Sequence, residues 1–411
     1  MIPVIMAGGK GTRIASVNSS LPKPMIPICG KPILEYQLQL LRSQGFNQAI
    51  LCIGHMGNVI QNYFGDGQAL GLSITYLEEK EPLGTAGALY YLKDKTEDIL
   101  LLNGDIIFDV DLKRFEEYHK AHGAWATLFT HPNNHPYDSG VLDVDEAHYV
   151  TKWYTKEDER TWYSNRVNAG LHILSPAVLS RLTEAKKTDL DRELLRPLVD
   201  EHKVIAYDSP EYVKDMGTPD RYHAVEEDMR LGRVQARNLL HPQRAVFFDR
   251  DGTINRYVGF LRDIDQMELI PETVEKIRMA NERGYLTIVV TNQPVIARGE
   301  VTWTQLKEIH RKMETLLGRE GVYVDDIFIC PHHPKKGFAG EVAAYKVECT
   351  CRKPKPGLLL QAAEKYNIDL HESFMVGDSD SDRKAAEAAG IQRYFDVNEP
   401  LILPDGVHEG E

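Results

Sequence analysis

Cysteine is scarce in this chain, with five in 411 residues, and basic residues fall short of acidic ones, 48 Lys and Arg against 61 Asp and Glu, for a formal net charge of -13. That acidic balance argues against a nucleic-acid surface or an anionic membrane as partner, since both are bound through basic patches. Long apolar runs are missing too. No stretch reaches the roughly 20 residues that a spanning helix needs. The opening MIPVIMAGG lacks the basic start, extended apolar run and small-residue cleavage site of a signal peptide, so a cytoplasmic protein is expected. Low-complexity tracts and internal repeats are absent.

The few cysteines are not spread evenly. Three of the five stand with two histidines in CPHHPKKGFAGEVAAYKVECTCRKPKPG, residues 330 to 357, a segment too irregular for a helix or a strand. In a reducing compartment such clusters are metal ligands or catalytic groups more often than cross-links. Cys330 and His332 are two apart, and so are Cys349 and Cys351, which lets each pair grip one ion from a tight turn. Three thiolates and one imidazole make a closed tetrahedral zinc site of the structural kind, with His333 as the rival to His332.

Short β-rich runs such as IPVIMAGG, QAILCIG and DILLLNGD alternate with amphipathic segments such as PILEYQLQLLRSQG and LKRFEEYHKAHG. This is the signature of βαβ units and a mostly parallel sheet. The pattern restarts near residue 242 with RAVFFDRDGT, then YLTIVVTNQ and SFMVGDSDSD. Two α/β domains are expected, residues 1–230 and 244–411, joined by a linker at 231–243. In such sheets ligands bind beyond the carboxyl ends of the strands, where all these motifs fall.

The strand PVIMA runs into GGKGTR, residues 8 to 13, where glycines let backbone N–H groups turn onto an anion with a basic side chain at the end. Downstream follow LPKPMIPICGKPIL, EPLGTAGAL, LLNGDIIFDVD, NAGLHILSP and VKDMGTPDRY. Over most of residues 1 to 230 this order resembles the sugar-1-phosphate nucleotidyltransferases. The resemblance implies a Rossmann-like fold in which the phosphate oxygen of a sugar 1-phosphate attacks the α-phosphorus of an NTP and expels pyrophosphate. It implies that Gly8, Gly9, Gly11 and Thr12 bind the triphosphate, that Arg13 neutralises the leaving pyrophosphate and that Lys23 stabilises the reacting phosphoryl group. Asp105 and Asp215 match the magnesium ligands, and hard carboxylate oxygens suit that cation. Gly84 and Thr85 match the segment facing base and sugar, while Gly140, Lys156 and Asn168 match positions that hold the sugar phosphate. Many relatives have Glu-Lys-Pro where this chain reads Thr155, Lys156, Glu157, which leaves the identity of the sugar open.

FFDRDGTIN places Asp249 and Asp251 two residues apart just beyond a buried strand. One such carboxylate can attack phosphorus while the other protonates the leaving alcohol and later deprotonates the attacking water. Thr291 and Asn292 end TIVVTNQ, Lys353 follows the cysteine segment, and GDSDSD supplies Asp378 and Asp382. Residues 244 to about 397 resemble the haloacid-dehalogenase-like phosphatases. By that likeness Asp249 is the nucleophile, Asp251 the acid/base, Thr291 and Lys353 the phosphoryl-binding groups, and Asp249, Asp251 and Asp378 the magnesium site, with Asp382 a secondary candidate. DRDGTIN, TNQ followed by IARG, and a zinc loop running into CRKPKPG match best the heptose 1,7-bisphosphate 7-phosphatases. There Asn292 and Arg352 bind substrate. Pro294 departs from the serine that relatives often carry, and histidinol-phosphate phosphatases share the same frame.

Removing the 7-phosphate from a heptose 1,7-bisphosphate leaves a heptose 1-phosphate, which a sugar-1-phosphate nucleotidyltransferase can use. The expectation is therefore a bifunctional magnesium enzyme of NDP-heptose synthesis with structural zinc, GTP being preferred as nucleotide donor. ADP-heptose or hexose chemistry beside a phosphatase of other specificity is the alternative. Nucleoside triphosphate and sugar phosphates are the expected partners, and a homo-oligomer stays open.

Overall fold

The computed structural model describes residues 1–9, 14, 16–18, 20–391 and 393–404. Strands alternate with helices from Ile2–Met6 to Arg393–Asp396, so the chain is α/β throughout. Contacts divide it into two units. The first comprises Met1–His131, Leu142–Trp153 and Asn168–Asn238, and the second Pro132–Val141, Tyr154–Val167 and Leu239–Glu411. Among the described residues no helix is long and apolar enough to cross a membrane.

The first unit is built on a nine-stranded sheet in which Ile2–Met6 pairs in parallel with Ile99–Asn103 on one side and Gln48–Ile53 on the other. Its central strands alternate between two cores, as a strand covered on both faces must. Ile2 and Val4 enter one apolar cluster and Ile5 the other, and Ile99 and Leu101 are split from Leu100 and Leu102 in the same way. Because the pairing of Ile2–Met6 and Ile99–Asn103 is parallel, the loops carrying Gly8 and Asp105 leave at the same edge. A two-stranded ribbon adds Ile106–Asp109 antiparallel to Tyr212–Asp215, which pairs Asp215 with Ile106 although more than a hundred residues separate them. The segment 231–243, expected as a linker, carries the short helix Arg233–Ala236, and behind it Asn238 Nδ2 donates to Asp109 Oδ1 at 2.6 Å.

The second unit holds a five-stranded, wholly parallel sheet in the order Asp326–Cys330, Leu286–Asn292, Ala245–Phe248, Phe374–Gly377, Arg393–Asp396. The run AVFF forms the middle strand because it is apolar on both faces. Ala245 and Phe247 pack into one core, Val246 and Phe248 into the other. The long helix Trp303–Arg319 starts on a reciprocal cap between Thr302 and Gln305. Onto it the same unit packs its segment 154–167: the Tyr163 N–H donates to Thr315 Oγ1 at 3.0 Å, and that hydroxyl donates back to the Tyr163 carbonyl at 3.1 Å. Phe247 is fully buried in the central strand. Phe247→Ala should therefore destabilise this unit by about 3–5 kcal/mol, read as a lowered denaturant midpoint at unchanged slope. A shift below about 1 kcal/mol would mean that the strand is not central.

Candidate active sites

In the first unit the edge reached by the parallel strands collects charge. Lys23 opens a short 3-10 turn, Lys23–Met25, and its Nζ forms an ion pair with Asp105 Oδ2. The Met216 N–H donates to the Asp105 carbonyl at 2.9 Å, which joins the two aspartate-bearing strand ends. Both Asp215 oxygens accept from Arg221 Nη1, at 3.0 and 2.7 Å, and Oδ1 also accepts from the Gly217 N–H at 2.8 Å. Burial pushes the Asp215 carboxyl up, but Arg221 and more distant Lys23 outweigh it, so the group is held below the usual carboxylate range. Each carboxylate keeps lone pairs beyond those its partners occupy, so the pair fits a hard cation.

Two residues that residue-type reasoning did not single out support this edge. Gln37, buried on the helix Ile33–Ser43, donates from Nε2 to the carbonyls of Asn103 (2.9 Å) and Ile106 (2.7 Å), bridging the turn that carries Asp105. Arg221 sits six residues past Asp215. The other expected positions vary. Gly8 and Gly9 lie on the loop after Ile2–Met6, whereas Gly11, Thr12 and Arg13 lie outside the described residues. Gly84 adopts φ +78°, and a Cβ there would collide with the Thr188 carbonyl. The Thr85 hydroxyl accepts from the Leu190 N–H at 2.7 Å, so this pair anchors the segment at 188–190. Asn168 Oδ1 accepts from the Gly170 N–H at 3.2 Å. Gly140 and the exposed Lys156 fall in segments grouped with the second unit.

In the second unit Asp249, Thr291 with Asn292, Cys330 and Asp378 sit at the carboxyl ends of four neighbouring parallel strands, while Lys353 comes from the segment after Cys330 and Asp382 from the helix Asp380–Ala389. The Lys353 ammonium is buried between Asp249 Oδ1 (2.7 Å) and Asp382 Oδ1 (2.6 Å), and it donates to the Val290 carbonyl at 2.8 Å. One carboxylate oxygen from each of Asp249, Asp378 and Asp382 lies within 4.8 Å of the others, a set able to hold a cation. Burial, then Lys353 pulling the other way, then the charge of Asp382 act on Asp249, and the balance raises it. Burial disfavours the Lys353 charge, yet the two aspartates hold its proton more tightly than in water. Asp251 stands outside that acidic set. Its carboxylate accepts from Arg250, Gln293 and Asn255. Thr291 is buried, and its hydroxyl accepts from Gln293 Nε2 at 2.8 Å. Asn292 spends its side chain on the backbone of Lys353, accepting from its N–H and donating to its carbonyl, both at 3.1 Å.

The cysteine segment closes over the same edge. Cys330 ends its strand as the register partner of Asn292. The sulfur separations are 3.1 Å for Cys330 and Cys351, 3.4 Å for Cys349 and Cys351, and 3.6 Å for Cys330 and Cys349. All are far beyond a disulfide bond of about 2.05 Å. His332 Nδ1 lies 3.2 Å from Cys351 Sγ, while His333 Nδ1 meets the Lys335 carbonyl instead. Cys330, His332, Cys349 and Cys351 thus form a four-donor cluster able to hold a metal ion. Arg352 Nη1 donates to the His332 carbonyl at 3.1 Å, across the cluster.

The nucleotidyl transferase family model matches residues 2–231, and the haloacid dehalogenase-like hydrolase model matches residues 177–390. A D-glycero-beta-D-manno-heptose-1,7-bisphosphate 7-phosphatase from Yersinia pestis is 44% identical over 147 residues, covering 36% of this chain and 76% of that protein. A probable mannose-1-phosphate guanylyltransferase from Oryza sativa subsp. japonica is 32% identical over 228 residues, 54% of this chain and 63% of that protein. The chain therefore spans less than two thirds of the guanylyltransferases it matches. The crystal structure of HddC from Yersinia pseudotuberculosis is 27% identical, with a TM-score of 0.48, over 56% of this chain and 100% of that one.

Gly252 has φ +86°, and a Cβ there would collide with the Asp378 carboxylate. Gly252→Ala should thus cut phosphate-ester hydrolysis at least about tenfold, since misplacement on an ångström scale costs that or more. Nucleotidyl transfer by the same protein should hold, and an unchanged hydrolysis rate would show that the acidic set tolerates displacement.

Proposed function

Because the chain belongs to the nucleotidyl transferase family through residues 2–231 and to the haloacid dehalogenase-like hydrolases through residues 177–390, we propose that it is a bifunctional enzyme making an NDP-heptose. It removes the 7-phosphate of D-glycero-D-manno-heptose 1,7-bisphosphate, then joins the resulting heptose 1-phosphate to a nucleotide. The observation that carries this reading is the Asp249, Lys353, Asp382 constellation beside a Cys/His cluster, in a unit 44% identical to a heptose bisphosphate 7-phosphatase. GTP is the preferred donor, in keeping with the names of the guanylyltransferase relatives.

In hydrolysis an Asp249 oxygen attacks the 7-phosphorus, the P–O bond to the sugar breaks, and Asp251 gives its proton to the departing alkoxide. Asp251 then takes a proton from water, whose oxygen attacks the aspartyl phosphate and releases inorganic phosphate. Lys353 and Thr291 hold the transferring oxygens throughout. Magnesium held by Asp249 and Asp378, with Asp382 within reach of the same point, would supply further neutralisation of phosphoryl charge, while the Asp251 carboxylate, expected as a third ligand, stands outside that set. In the other reaction the heptose 1-phosphate oxygen attacks the α-phosphorus of the NTP and pyrophosphate leaves. Lys23 stands beside Asp105 to stabilise the phosphoryl group in flight, and Arg13 neutralises the pyrophosphate. Asp105 and Asp215 would hold magnesium there.

Zinc fits the Cys330, His332, Cys349 and Cys351 donor set, because tetrahedral Zn–S bonds of about 2.3 Å place ligand sulfurs somewhat under 4 Å apart. The cluster's job is to seat the turn that carries Arg352 and Lys353. Full-length protein should contain about one zinc per chain by elemental analysis, and Cys349→Ser should lose the metal and most hydrolysis while keeping transfer. Full hydrolysis in a zinc-free Cys349→Ser protein would contradict this.

The function itself is tested by offering the full-length protein both anomers of heptose 1,7-bisphosphate with each NTP and magnesium, and identifying products by mass. Asp249→Asn should abolish phosphate release while transfer from supplied heptose 1-phosphate survives, and Asp105→Ala should do the reverse. Loss of both reactions in either folded variant would sink the two-site reading.

A further inference from the structure

Arg250 lies between the two aspartates of DRDGT, yet its side chain is wholly buried. A guanidinium removed from water needs every donor matched, and here the matches are specific. Nη2 reaches Asp251 Oδ2 at 2.7 Å and Oδ1 at 2.9 Å, and Nε reaches Oδ1 at 3.1 Å. Nη2 also donates to Gln293 Oε1 at 3.0 Å, and Gln293 returns Nε2 to Asp251 Oδ2 at 2.8 Å. Nη1 points the other way, to His310 Nε2 at 3.0 Å on the helix Trp303–Arg319. Burial, helped by the arginine charge, holds His310 far below its usual pKa. The ring is neutral and accepts at Nε2.

We propose that Arg250 is a positioning residue for Asp251, with His310 as its anchor: the guanidinium fixes the acid/base carboxylate in one orientation, and the buried imidazole fixes the guanidinium. The inference rests on the phosphatase reading of the second unit. Asp251 has two side-chain torsions and sits on a loop beyond the strand end, so its own backbone does not aim its carboxylate. A planar fork bound on both sides does. A lysine could not do this, since it is a point charge without a rigid fork. Binding of the substrate phosphate belongs to Lys353 and Thr291, so loss of the anchor should fall on kcat and leave KM in place.

His310 is the residue to change, because within this network it touches only Arg250. In the full-length protein, His310→Leu should lower kcat for heptose 1,7-bisphosphate by about ten- to a hundredfold, with KM within about twofold. His310→Gln, which restores an acceptor, should recover most of the loss. p-Nitrophenyl phosphate separates positioning from general damage, since nitrophenolate leaves without a proton from Asp251. The pre-steady-state burst of nitrophenol should therefore survive in His310→Leu at the wild-type rate. Should His310→Leu fail to fold, Arg250→Lys reads the same split. An unaltered kcat, or a nitrophenol burst that falls together with the bisphosphate kcat, would overturn the inference. A wild-type protein that hydrolyses neither ester would instead overturn the phosphatase reading beneath it.

Discussion

The second unit is organised around one buried cation. Lys353 is almost completely enclosed, and two carboxylates and a backbone carbonyl are its partners. An ammonium in that position costs several kcal/mol to desolvate unless its partners are well placed, and its partners come from the strand Leu286–Asn292, the loop after Ala245–Phe248 and the helix Asp380–Ala389. The chain meets that demand by securing the backbone at Lys353 from both sides. Asn292 clasps its N–H and carbonyl, while Cys351 and Arg352 tie the preceding residues to the Cys/His cluster and to His332. A segment with no apolar core of its own is thus made rigid where it matters. Without the cluster, residues 330–357 would have only scattered contacts to set against the entropy of ordering them.

The first unit uses the same principle with less burial. Lys23 faces Asp105 and Arg221 faces Asp215, so each cation is held by a carboxylate. Such pairs keep the groups in place at little net stability, since partly exposed ion pairs are worth at most about 1 kcal/mol. They are also exchangeable. Under the proposed function a triphosphate with its metal would offer each lysine or arginine a stronger anion and each aspartate a stronger cation, so the pairs would act as a preassembled receptor and not as a competitor.

Much of this organisation is legible in the amino-acid sequence, for a geometric reason. A buried strand followed by a turn of polar or acidic residues is a pattern that sequence records locally, and DRDGT, TNQ, GDSD and LLNGD all have it. The α/β alternation and the restart near residue 242 can be read from the same runs. What escapes are residues whose role depends on partners remote in sequence. Gln37 holds two carbonyls 66 and 69 positions away, and His310 meets Arg250 across 60. A lone polar residue among helix apolar positions gives no sign of what it faces. Thr85 and Asn292 are visible as polar residues in functional motifs, but only the fold reveals that their side chains bond to the chain itself.

The two units also differ in how they gather their charged groups. In a wholly parallel sheet every strand delivers its carboxyl end to one edge, so short strands suffice to bring Asp249, the Thr291 hydroxyl, Cys330 and Asp378 together. The mixed sheet of the first unit brings only part of its set to that edge by parallel strands, and it recruits Asp215 through an added antiparallel ribbon. That difference explains the spacing of the motifs. The groups of the second unit recur at successive strand-helix repeats, as the topology requires, whereas Asp105 and Asp215 can be far apart in sequence because a ribbon joins them directly. The same logic accounts for the cysteine cluster. The covering loop has little apolar contact beyond Tyr345, which packs beside Val295 and Ile296, and a metal held by the four-donor cluster would close such a loop without a larger core.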